Sequence, residues 1–158
     1  MNYVQVGAVW IHTLAMIMVI GYYGVLGRVI LPGLRRSLDG ARQCSVLVAL
    51  ERRALPLVVG SIVLFAISGA YLLVVDEQYA GLGNFLGSTW TALMLVKHLL
   101  VGFMVVLGVL IDRLVRRLAE ADDDGDRQEL LAFVGLATEG VTGLGAGVVL
   151  LTAAAQLS

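Results

Sequence analysis

The sequence predicts an all-α integral membrane protein, a four-helix bundle with both termini on the outer side of the bilayer. Three observations lead there. The 158 residues are 59% hydrophobic, with a mean hydropathy of +0.90. The apolar residues gather into four runs, approximately 4–34, 55–75, 90–111 and 130–155. Each run meets the roughly 20 residues a helix needs to cross a hydrocarbon core of about 30 Å. Backbone groups in lipid must be satisfied within their own segment, so the spans are expected to be helices, and the chain one domain over residues 1–158.

The N-terminus lacks a basic leader and its apolar run is too long for a cleaved signal, so it reads as the first span. Pro32-Gly33 predicts the end of that span. Asp39-Gly40 reads as a turn, and Cys44–Leu50 as either an interfacial helix or an inward extension of span two. Cys44, the only cysteine, excludes an internal disulfide and any multi-cysteine metal site. Glu51, Arg52 and Arg53 mark an interface, and Pro56 is expected in the first turn of span two, where proline is tolerated. The link from Asp76 to Ser88 is polar and glycine-rich, with Tyr79 and Trp90 placed for an aromatic belt. Glu120, Asp122, Asp123, Asp124 and Asp126 read as a solvated acidic loop.

Orientation follows from the cations. Arg35, Arg36, Arg42, Arg52 and Arg53 lie between spans one and two, and Arg113, Arg116, Arg117 and Arg127 between spans three and four. The positive-inside rule makes both loops cytoplasmic, which suits a multi-pass protein of a bacterial cytoplasmic (inner) membrane. Nothing in the sequence suggests a nucleic-acid partner. The expected surroundings are lipid, with other membrane proteins or further copies of the chain.

Ionisable groups inside spans are functional candidates. The only two histidines, His12 and His98, each fall about eight residues, or ~12 Å, into their spans. Spans one and three run in the same direction, so the two imidazoles lie at matched depth. That geometry predicts axial ligation of one haem b between helices, with Gly102, one turn beyond His98, leaving room for the porphyrin. Copper is the alternative: Met16 follows His12 by four residues and Met94 precedes His98 by four, and thioether with imidazole suits Cu(I). Lys97 and Glu139 are expected to form an intramembrane charge pair. Arg28 reads as an interfacial snorkelling residue or a haem-propionate holder. Gly21, Gly24, Gly27, Gly135, Gly140, Gly143 and Gly147 read as close-packing positions or as space for a flat cofactor.

His12 followed by Gly-Tyr-Tyr-Gly-Val-Leu-Gly-Arg, ending at Arg28, resembles the first helix of HemJ-type protoporphyrinogen oxidases. Where those have Leu-Pro-Arg, this chain has Leu26-Gly27-Arg28. Trp90–Val101, Glu139-Gly140 and the closing Leu-Thr-Ala-Ala-Ala resemble the copper-resistance D membrane domain. The HemJ resemblance implies a b-type haem with His12 and Lys97 as ligands, whereas depth and chemistry alone favour His98. The resulting expectation is a haem b membrane protein, a haem-dependent oxidoreductase or electron carrier, passing electrons between a quinone or porphyrinogen and a partner. Copper transport or resistance, and an accessory subunit of a larger membrane complex, are the alternatives.

Overall fold

In the computed structural model, residues 3–76, 89–121 and 123–155 are described; Tyr79 and most of the link between spans two and three lie outside them. The elements are α1 (Tyr3–Val25), a π-helical turn (Leu26–Ile30), α2 (Leu31–Ser37), α3 (Gly40–Val74), α4 (Thr89–Glu120) and α5 (Asp124–Ala155). No strand occurs among the described residues. Tyr3–Ser37 and α3, α4 and α5 supply four segments long and apolar enough to cross a membrane. Their outer faces carry large apolar side chains such as Ile67, Leu136 and Leu150. A surface of that kind suits lipid and would be a liability in water.

The helices overrun the apolar runs from which they are predicted. Pro32-Gly33 does not end span one. Leu31 donates its N–H to the Leu26 carbonyl across the π turn, and Pro32 then occupies the first turn of α2, where no N–H is required. The chain stays helical to Ser37, and Leu38–Asp39 alone joins α2 to α3. Asp39 caps α3, its carboxylate accepting from the Arg42 N–H at 2.9 Å. Residues 44–50 extend span two inward, so Pro56 sits inside α3, not in its first turn. At about 50 Å, α3 outreaches the hydrocarbon core.

The acidic connector is equally short. α4 runs through Arg113, Arg116 and Arg117 to Glu120, and α5 starts at Asp124. Asp124 and Asp126 stand in the first turn of α5, where carboxylates favour the helix dipole. The N-terminus of α3 abuts that of α5: a Cβ on Gly40 would lie 3.8 Å from the Asp124 carboxylate. Both arginine-bearing connectors therefore gather at one end of the bundle.

Close contacts at glycines fix the register. Leu107 and Leu100 of α4 pack onto Gly140 and Gly147 of α5, setting those helices antiparallel. Ile20 and Gly24 of α1 meet Gly145 and Thr142 of α5, which sets α1 antiparallel to α5 and so parallel to α4, and the Tyr23 hydroxyl against Gly108 of α4 fixes their relative height. Gly27 lets α1 close on α5: a Cβ there would stand 2.8 Å from the Thr138 hydroxyl. The close-packing reading of Gly27, Gly140 and Gly147 thus holds. The core runs down the axis through Tyr23, Leu26, Ile111, Val134, Val141 and Val148.

Candidate functional site

His12 lies in the N-terminal half of α1 and turns its ring onto α3. The ring stacks on Phe65, with centroids 4.1 Å apart and planes 20° from parallel. Gly69 makes this possible, since a Cβ there would come within 2.8 Å of the imidazole Cε1. His12 Nδ1 lies 3.1 Å from the Phe65 carbonyl oxygen and 3.1 Å from the Ser68 hydroxyl. The Ser68 hydroxyl donates to the Leu64 carbonyl at 2.6 Å. A carbonyl can only accept and the serine proton is already used, so Nδ1 must carry the hydrogen. The lone pair is then on Nε2, which no described residue engages. A carbonyl-bound Nδ1–H is the arrangement that orients an imidazole as a metal ligand through its other nitrogen.

His98 obeys the same rule in a different place. Its Nδ1 lies 2.6 Å from the carbonyl of Met94 on its own helix, which again leaves Nε2 free. The side chain is exposed on the bundle surface. Eleven residues back from the Tyr23–Gly108 contact, His12 stands level with Lys97. The structure thus brings His12, Lys97 and His98 to one level, with His12 turned onto α3 and His98 exposed.

Glu139 does not pair with Lys97. It accepts from the Arg28 guanidinium at 3.2 Å. The α4/α5 register explains the difference: Gly140 faces Leu107, so Glu139 lies about ten residues, or roughly 15 Å, along the axis from Lys97. Sequence depth misplaced it because α5 starts six residues before the apolar run.

A haem does not fit between these residues. Below His12 the interior holds a cavity of only ≈ 40 Å³. Gly102, the expected porphyrin space, is exposed on the bundle surface, and a Cβ there would meet nothing within 4 Å. Among the described residues, no three His, Cys, Asp or Glu side chains assemble as a metal-ligating group.

The sequence reading missed a second polar seam. Glu51 is 4% exposed, and its carboxylate accepts from the Tyr22 hydroxyl, joining α3 to α1. Asp112 on α4 faces the same pair and is held by Arg116 at 2.9 Å. The adjacent Arg52 and Arg53, which are exposed, disguised Glu51 as an interfacial residue.

Residues 48–155, about two thirds of the chain, match the family model described as copper resistance protein D, CopD. The chain belongs to the copper resistance protein D family. No characterised protein and no solved structure matches it significantly. The CopD match covers α4 and α5 and most of α3, including Phe65, Ser68, Gly69 and His98. His12 lies outside it. Family and structure together define a multi-pass membrane protein related to copper resistance.

Proposed function

We propose that this CopD-family protein handles copper within the membrane, with Nε2 of His12 as the primary Cu(I) ligand. The observation that carries this reading is the pair of oxygens at Nδ1 of His12. A buried serine and a backbone carbonyl hold Nδ1–H and leave the ring's lone pair free inside a helix seam. Imidazole with thioether is a donor set suited to Cu(I), and Met16 lies one turn below His12 on α1. His98 and Met94 form a second such pair on α4, at the same level but on the bundle surface. The gathering of both arginine-bearing connectors at one end supports an orientation with that end cytoplasmic and the histidine level nearer the outer face. A bacterial cytoplasmic membrane fits that arrangement.

The reading is tested in cells exposed to copper. Expression of the protein changes cellular copper content, and His12→Ala abolishes the change at equal membrane levels of protein. An effect that survives His12→Ala unaltered contradicts it.

A further inference from the structure

The space beneath His12 has a chemistry of its own. Its ≈ 40 Å³ are walled by all four membrane-crossing segments: Met16 and Tyr23 from α1, Phe65 from α3, Met104 from α4, and otherwise by aliphatic residues and Gly108. Phe65 is the ring on which His12 stacks, so one side chain borders both the imidazole and the cavity. Met16 follows His12 by one helical turn and presents its thioether on the same face. Met104, 8% exposed, reaches the cavity from the other side of the bundle.

Size and lining restrict what can enter. About 10–15 Å³ of such space holds one water molecule. This cavity has room for about three such molecules, so it admits a bare ion and excludes an ion with its full hydration shell or a flat ring system. No carboxylate, lysine or arginine lines it, so a divalent cation would arrive with two uncompensated charges in apolar surroundings. A soft monovalent ion differs: thioethers coordinate it directly, and the faces of Phe65 and Tyr23 favour a positive charge.

We propose that this cavity is a Cu(I) site, in which the thioethers of Met16 and Met104 bind a desolvated ion passed inward from His12. No electron is transferred; the ion exchanges a nitrogen ligand for sulfur. The inference rests on the copper-handling reading and assigns Met104, which sequence spacing does not reveal, as a ligand.

The test uses the full-length protein in detergent under reducing conditions, with Cu(I) alone as probe. X-ray absorption of the loaded protein is expected to show sulfur scatterers. The Met16→Leu/Met104→Leu double variant conserves volume. It is expected to lose those scatterers and to weaken Cu(I) binding by at least about tenfold, the lower end of the loss seen when a metal's supporting contacts are removed. Selenomethionine-labelled wild-type protein provides a measurement free of any folding defect: selenium should appear at bonding distance from copper, and the single leucine variants should each reduce that signal. Cu(I) bound with no sulfur or selenium neighbour, or bound as tightly by the double variant as by wild type, overturns the inference and leaves His12 ligation standing. Wild-type protein that takes up no Cu(I) overturns both.

Discussion

At the scale of single residues, the account turns on how little the protein does to make one histidine available. His12 carries no carboxylate partner. Phe65 supplies a stacking face and a carbonyl, Ser68 an oxygen, and Gly69 the absence of a side chain. Each is a separate lever. Ser68→Ala is expected to weaken copper binding by about 10–100-fold while the ligand remains, the usual range for losing an outer-shell partner. Gly69→Ala should lower affinity as well, because its methyl group needs the space of the imidazole edge. Competition titration with a Cu(I) chelator measures both, and wild-type affinity in Gly69→Ala would show that the seam is not close-packed. The Tyr22–Glu51 contact belongs at the same scale. Tyr22→Phe leaves a buried carboxylate without its donor, at an expected cost of about 1–3 kcal/mol. Thermal unfolding in detergent reads that cost, and an unchanged midpoint would mean that Glu51 finds another partner.

Elements show where sequence patterning succeeds and where it stops. Four apolar runs were enough to give four helices, because no other regular structure satisfies the backbone in lipid. Their ends were not legible. Hydropathy marks where side chains turn polar, whereas α3, α4 and α5 continue as helices beyond that point into their arginine- and aspartate-bearing ends. That overrun shifted the register of α5 and moved Glu139 from Lys97 to Arg28. The depth of His12 could be counted from the sequence, but its neighbours on α3 could not, since Ser68-Gly69 inside an apolar run signals packing as readily as a ligand shell. Pro32 was misread because the π turn before it has no pattern in the residue types. That turn depends on close contact with α5. Gly27→Ala forces a methyl group onto Thr138, which is fully buried, and is expected to destabilise the protein by about 1–3 kcal/mol, the usual effect of overpacking. Unfolding measurements in detergent test this, and an unaffected variant would show that the π turn yields at no cost.

At the scale of the whole molecule, the bundle is built for a small guest. Paired helices close on glycine and threonine contacts along their length, and the interior beneath His12 opens to only ≈ 40 Å³. A porphyrin would require the four helices to separate. The expectation of a haem b protein, drawn from matched imidazole depth, is not supported, because depth carries no information about direction: His98 is level with His12 and is exposed on the bundle surface. Protein produced with ample haem is expected to show no stoichiometric Soret absorbance, and one haem per chain would refute the cavity argument. The central claim is that Nε2 of His12 binds Cu(I). Equilibrium titration of the purified full-length protein with Cu(I), for wild type and His12→Ala side by side, tests it most directly. Saturable binding by wild type that is lost in His12→Ala, with the variant still folded, is the predicted result; equal binding by the two proteins would contradict it.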